Sequence, residues 1–488
     1  MRRCAALFAA LIVAAVSLGA RADDGVPNVI AIVVQDQAAL RAAPRDAAQQ
    51  QAQLWQGDAL EIRGERLDYV QVYDHRRERA GFVLASQVRR VSLAPSDAPE
   101  LLAVLRFLRD QPGAEALGIA YAAAYLRAAP AAAINAEPFD ALGQMADRLA
   151  SRASMRQGKS NDAALAAHLE VVAAYGVRLT SFERAGRMQL CYDGDAFARV
   201  LATPAASAEQ RAHAALALTK HECVDPAMPA LDRRRVDEAR ADLLDRVVVV
   251  TLKNRIQMRR AGVWAGIAFD RHRQGNGDVD AEERSMHALA AVNKTELTRI
   301  DEATYTDAAV RAGASRWAGE PVVQNGASER LALVAKPGQP GETCLLLVDA
   351  KHDTAQPLLR RCTYGTVWTA SASVNANGTV LAVAVQPLAS WRELWIFHRA
   401  RGAWVVDALP PGSGEPELGV IEFAGWVPGG TRLLVAREAK VDGRWQRSYE
   451  VRRIDTLAIE NRADNPASLK LFRRWQDPTW KRVTLSLR

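Results

Sequence analysis

The hydrophobic positions of this chain change their period twice. From Val29 to Val91 they fall in short runs, "VIAIVV", "DALEIRG", "YVQVYD" and "AGFV", punctuated by Pro44, Gly57, Gly64 and Gly81. Short runs between turn residues predict a compact all-β module. "SLAPSDAPE" (Ser92 to Glu100) then reads as a linker and helix start, with Asp97 placed to cap and Pro99 and Glu100 in the first turn. From Glu100 to Trp317 the spacing is helical, with Leu101, Leu102, Leu105 and Leu108 on one face. Two capping boxes, Thr180 with Glu183 and Ser207 with Gln210, predict further helix starts. Helices are also predicted over Phe139–Arg156, Asp162–Tyr175, Asp232–Val249, Arg255–Arg273, Ala281–Val292 and Asp301–Trp317. From Glu320 to Arg488 the runs are again strand-like, from "TCLLLV" to "VTLSL", and hold eight of the 11 tryptophans. The fold class predicted is multidomain: a small all-β barrel (23–93), an all-α array (94–319) and a β-rich domain (320–488).

Within the first module, strand alternation sets Val70 and Val72 on one face with Leu60, Ile62 and Val83 as core. Tyr69, Gln71 and Tyr73 fall on the other. With Phe82 and the loop arginines Arg76 and Arg77 they form a candidate ligand groove, or else a surface that meets the helical region.

The segment before these modules changes how the rest is read. "MRRCAALFAALIVAAVSLGARADD" runs from basic to apolar to small residues, the order of a secretory signal peptide over residues 1–22, cut near Ala22. The apolar stretch from Ala5 to Val16 is shorter than the roughly 20 residues a spanning helix needs. A periplasmic or secreted location follows, with no membrane span. Cys191, Cys223, Cys344 and Cys362 then read as disulfide cysteines, paired locally as 191–223 and 344–362, the first stapling neighbouring helices. The formal charge of +7 is spread without a Lys/Arg-rich block, which argues against nucleic acid as a partner.

No recognisable constellation of reacting residues appears: there is no H-E-x-x-H, Walker loop, dinucleotide glycine fingerprint or G-x-S-x-G. "NGDVDAEERSMH" (Asn276 to His287) has carboxylates at calcium-loop spacing, but Ala281 stands where the loop needs glycine and His287 where it needs glutamate. "HEC" (His221 to Cys223) offers adjacent histidine and carboxylate, which point apart on a helix. His213 and His221, eight apart, fit one helix face. Trp391, Trp395, Trp404, Trp475 and Trp480 read as sheet packing before they read as a sugar platform. No cofactor or metal is called for.

Two segments carry family resemblances. "ALRAAP" (39–44), "QGDALEI" (56–62), "YVQV" (69–72) and "AGFV" (80–83) resemble, in order and spacing, a bacterial SH3-like (SH3b) domain, with Tyr69 and Phe82 where that family has tryptophan. "SASVNANGTVLAVAV…RELWIFH" (371–398) and "AGWVPGGTRLLVAREAKVDGRWQRSYEVRRI" (424–454) are similar to blades of a WD-type or TolB-type β-propeller, through hairpins turning at Asn377-Gly378 and Gly429-Gly430. The SH3b resemblance implies a contact with peptidoglycan or with a protein partner. The function expected is that of an exported, non-enzymatic cell-envelope binding or scaffold protein. The alternative is a peptidoglycan-targeted hydrolase whose catalytic residues no motif reveals.

Overall fold

The computed structural model describes residues 29–480, apart from 156–161, 185, 249–250, 276–278, 317–330, 414–415, 417, 442 and 479. The segment read as a signal peptide, residues 276–278 of the calcium-loop-like stretch and the expected "VTLSL" strand lie outside the described residues. The chain is a multidomain β/α/β arrangement. No helix among the described residues is long and apolar enough to cross a membrane.

Seven antiparallel strands build the first region: β1 (Val29–Val33), β2 (Ala38–Arg41), β3 (Gln50–Leu54), β4 (Ala59–Arg66), β5 (Tyr69–Asp74), β6 (Arg79–Leu84) and β7 (Val88–Ser92). They lie in the order β3-β2-β6-β5-β4-β1-β7. Leu60, Val70, Val72 and Val83 are core, joined by Ala31, Val33, Leu40 and Leu54, with Ile62 partly buried against them. Strand β1 is buried on both faces. Its alternate residues Ile30 and Ile32 turn outward, with Val91 and Leu93, onto the first two helices.

The middle region comprises α1 (Ala98–Arg109), α2 (Glu115–Ala128), α3 (Glu137–Met155), α4 (Asp162–Ala174), a hairpin of β8 (Leu179–Arg184) and β9 (Arg187–Tyr192), then α5 (Asp195–Ala202), α6 (Ala208–Leu218), α7 (Ala230–Arg246), α8 (Lys253–Arg273), α9 (Val279–Ala290) and α10 (Arg299–Ser315). Ser207 and Gln210 form the expected capping box at α6, and Thr298 with Asp301 forms another at α10. Asp97 holds the N-cap position of α1, but its side chain makes no capping bond. The helix expected from Thr180 and Glu183 is instead the β8–β9 hairpin. Tertiary packing decides this: Leu179, Leu190 and Tyr192 lie against the α2–α4 cluster, and Ser154 Oγ accepts from the Leu190 N–H at 2.9 Å. Gly186, at φ +70°, supplies the left-handed residue of the turn.

The third region has a three-stranded sheet, β10 (Ala332–Pro337), β11 (Thr343–Val348) and β12 (Leu359–Thr363), and an eight-stranded one. The larger sheet is two antiparallel four-stranded meanders. The first is β13 (Thr366–Val374), β14 (Leu381–Leu388), β15 (Trp391–Ala400) and β16 (Ala403–Leu409). The second is β17 (Leu418–Val427), β18 (Arg432–Val441), β19 (Arg444–Arg453) and β20 (Ile459–Ala463), backed by α11 (Lys470–Trp475). A short parallel pairing of β15 with β17 joins them at Trp391↔Gly419 and Arg392↔Val420. Both predicted turns hold, with Gly378, Gly429 and Gly430 at positive φ. Trp391, Trp395 and Trp480 are buried in packing, while Trp404 and Trp475 are half-buried.

Both disulfides join the expected partners, Cys191–Cys223 at 2.05 Å and Cys344–Cys362 at 2.03 Å. The first does not staple two helices. It ties β9 to the single 3₁₀ turn His221–Cys223 that follows α6, because Cys191 sits in the hairpin. The second crosses directly between the paired strands β11 and β12.

The regions make specific contacts with one another. Tyr175 donates its hydroxyl to the Gly57 carbonyl at 2.6 Å, and His168 Nε2 meets Asp36 Oδ1 at 2.7 Å. Gly57, at φ +90°, lies where a Cβ would come within 2.6 Å of the Ala116 carbonyl oxygen, so only glycine allows this approach. On the other side of the helices, Arg392 donates to the Gly313 carbonyl at 2.5 Å. Asp307 accepts from Trp445 Nε1 at 2.9 Å and from Lys440 Nζ at 3.1 Å.

Candidate anion-binding site

The arginines inside the helical region follow from its packing. Helices α8 and α10 are small-residue helices that bury Ala261, Gly262, Ala308 and Ala312 against their neighbours. That close packing leaves long side chains at Arg259 and Arg311 to project into the space between helices. The space is a cavity of about 280 Å³ lined by Arg184, His221, Glu222, Met258, Arg259, Thr304, Asp307, Ala308, Arg311 and Lys440. Five segments contribute: β8, the turn after α6, α8, α10 and β18. A smaller cavity of about 130 Å³ adjoins it and shares Arg184, His221 and Arg311.

Hydrogen bonds separate the committed groups from the free ones. Arg240 donates to the Thr219 carbonyl at 2.6 Å, to Asp237 at 2.5 Å and to His221 Nδ1 at 3.0 Å. A guanidinium has only donors, so Nδ1 of His221 is the acceptor and the ring is neutral with its proton on Nε2. Lys440 is neutralised by Asp307, and Lys220 binds both oxygens of Asp147 at 2.6 Å. Arg184 donates to the His221 carbonyl at 3.0 Å, and Arg259 to the Leu216 carbonyl at 3.2 Å, and neither has an ion pair among the described residues. Arg311 has no hydrogen bond or ion pair among the described residues.

The electrostatics follow from crowding. Burial, and then the charges of Arg311, Arg240 and Arg259, hold the His221 pKa well below its usual 6.5. Burial brings Arg259 down to about 10, with Arg240 and Arg311 pressing in the same direction and Glu222 opposing. Arg311 is lowered likewise by burial, against the pull of Asp307. Arginines held this close with too few carboxylates are the arrangement that an incoming anion relieves.

Close approach is built in at Gly262. A Cβ there would stand 2.6 Å from His221 Nε2 and 3.2 Å from Arg311 Cδ, so glycine makes room for both. The Cys191–Cys223 bond fixes the turn that carries His221 and Glu222 to the hairpin that carries Arg184.

The residues expected to form a groove on the first module go to different places. Tyr69 is buried rather than sharing an open face with Tyr73, and its hydroxyl meets Asp46 Oδ1 at 2.5 Å, which raises its pKa. Tyr73 is half-buried, edge-on to His75 at 4.8 Å and beneath the Arg63 guanidinium at 5.7 Å. Gln71 pairs with Phe82 across β5–β6, both half-buried. Arg76 and Arg77 meet Asp58, each at 3.1 Å, and Arg77 also meets Asp74 at 2.6 Å. The helical region is met through Asp36, Trp55 and Gly57.

A second concavity of about 580 Å³ lies between α3 and α6 and includes Glu137, Asp140, Gln144, Glu209 and His213. Asp140 is 5% exposed; Oδ2 accepts from Gln144 at 2.9 Å, and Oδ1 has no partner among the described residues. Burial raises its pKa, and Glu209 adds to the effect. The two histidines that fit one face therefore serve different cavities, His213 this one and His221 the cationic one.

No protein-family model, curated protein or solved structure matches this chain.

Proposed function

We propose that this is an exported cell-envelope binding protein that holds an anionic ligand in the pocket between its helical region and its C-terminal sheet. The observation that carries the reading is Arg311, a pocket guanidinium with no hydrogen bond or ion pair among the described residues, beside Arg184 and Arg259, whose hydrogen bonds there go to backbone carbonyls. Guanidinium groups bind oxyanions through paired N–H donors, and in a concave, partly buried site that contact is strengthened. Two disulfides support export, since such bonds persist in oxidising compartments. In this reading the SH3b-like module and the propeller-like sheets are docking surfaces, for peptidoglycan or for an envelope protein, around the ligand pocket.

Calorimetric titration of the purified mature protein with sulfate and phosphate salts at constant ionic strength tests the pocket. Wild type binds, and Arg311→Met binds at least tenfold more weakly. Failure of wild type to bind either anion overturns the reading. Pull-down with sacculi and envelope extracts tests the docking surfaces separately.

Asp140 favours a second reading, a wall hydrolase. A carboxyl whose pKa is raised by burial, in a groove with another carboxylate at Glu209, has the make-up of a glycosidase acid–base pair. Release of muropeptides from sacculi by wild type, abolished in Asp140→Asn, supports it; no release removes it.

A further inference from the structure

The charge balance of the cationic pocket narrows the class of ligand. Of the cations that line or flank it, Arg240 is answered by Asp237, Lys440 by Asp307 and Lys220 by Asp147. The unanswered cations are Arg184, Arg259 and Arg311, and Glu222 is the one uncommitted carboxylate lining the cavity among the described residues. His221 adds no charge, because its Nδ1 accepts from Arg240. The surplus is therefore two positive charges, held by guanidinium groups that reach the cavity from three separate elements, β8, α8 and α10.

Resting on the anion-binding reading, we propose that the ligand is a phosphate dianion: a phosphomonoester or inorganic phosphate. A dianion cancels the surplus, whereas a monocarboxylate leaves one charge uncompensated in a partly buried site. Three guanidinium groups offer more donors than one carboxylate can accept, and a tetrahedral oxyanion accepts in several directions at once. The main cavity, about 280 Å³, is larger than one oxyanion, and Met258 and Ala308 give it an apolar wall. The adjoining cavity shares Arg184, His221 and Arg311 and is lined further by Gly262 and Gly266 of α8 and by the charged Arg233, Asp237, Arg240 and Asp270. An organic group esterified to the phosphate has room in either space.

Isothermal titration of the full mature protein with inorganic phosphate, glycerol phosphate and acetate, at pH 7.5 and constant ionic strength, tests this. Both phosphates are expected to bind at least tenfold more tightly than acetate, with the preference lost in Arg311→Met and reduced in Arg259→Lys. Tighter binding of glycerol phosphate assigns the pocket to phosphomonoesters; equal or tighter binding of inorganic phosphate assigns it to the free anion. A pH series adds a readout that folding defects do not mimic. The second ionisation of a phosphomonoester lies near pH 6, so glycerol phosphate weakens from pH 7.5 to 5 while sulfate does not. Acetate binding as tightly as the phosphates overturns the dianion proposal and leaves the anion-binding reading standing. No binding by any of these anions overturns both.

Discussion

Arg240 donates to His221 Nδ1 at 3.0 Å, so an arginine buried behind the pocket decides which nitrogen of the histidine carries the proton. Because burial and neighbouring arginines lower the folded-state pKa from 6.5, the unfolded chain takes up a proton first as pH falls. Stability is thus fully expressed above about pH 6.5 and declines as pH drops from there towards the lower folded value. Nitrogen-15 spectra are expected to show a single Nε2–H imidazole through neutral pH. An His221→Gln variant is expected to lose the part of the acid-induced fall in melting temperature that His221 causes. A ring that titrates near 6.5 in the folded protein contradicts this assignment.

Gly262→Ala places a methyl group 2.6 Å from His221 Nε2. Since the glycine is helical, propensity alone favours alanine, and the outcome measures the crowding. Overpacking of this kind costs about 1–3 kcal/mol, and the displaced ring and Arg311 stem weaken anion binding as well. Thermal melting and calorimetric titration read the two effects. A variant as stable as wild type with unchanged affinity shows that the ring does not need this gap.

The disulfides separate stability from binding. Cys191–Cys223 spans 32 residues and Cys344–Cys362 spans 18, which the chain-entropy model values at about 3–4 and about 3 kcal/mol. Serine pairs at either bond therefore destabilise to a similar degree. Only the Cys191/Cys223 pair is expected to lower anion affinity, because only that bond holds pocket residues. Equal effects on affinity would show that global loosening is responsible.

Glu115 is a structural carboxylate and serves as a control. It is fully buried, accepts from Arg148 at 2.7 Å and from Arg152, and its pKa stays below the usual value although burial alone would raise it. Its lowered pKa contributes stability above about pH 4.5 that is lost as pH falls through the folded value. Glu115→Gln is expected to cost about 2 kcal/mol at pH 7, less than a fully enclosed pair because both arginines reach water. Chemical denaturation at pH 7 and at pH 3 checks this, with the difference between variant and wild type shrinking at the lower pH. Anion affinity is expected to stay unchanged.

What was legible in the sequence was the local period. Leu101, Leu105 and Leu108 at helical spacing gave α1, and the Ser207 box gave the start of α6, because those signals are settled within one turn. The Thr180–Glu183 box misled, since the contacts of Leu190 and Tyr192 with the α2–α4 cluster outweigh a local capping preference. Alternation in β5 found Val70 and Val72 but not the burial of Tyr69, whose hydroxyl bonds to Asp46, 23 residues away. The cationic pocket was not readable. Arg184, Arg259, Arg311 and Lys440 are far apart in the chain, and each is ordinary alone. The one local sign is "HEC", which joins a pocket histidine and carboxylate to a disulfide cysteine.

Asp307 accepts from Trp445 and Lys440 one helical turn before Arg311 reaches the pocket. The C-terminal sheet thereby acts as a counterion to the helical region. A fragment ending after α10 would present Asp307 bare, lack the Lys440 charge, and so offer the pocket arginines an internal competitor for their ligand. Under the anion-binding proposal, selectivity belongs to the joined chain, and the two regions are not interchangeable parts that can be recombined without changing what the pocket attracts.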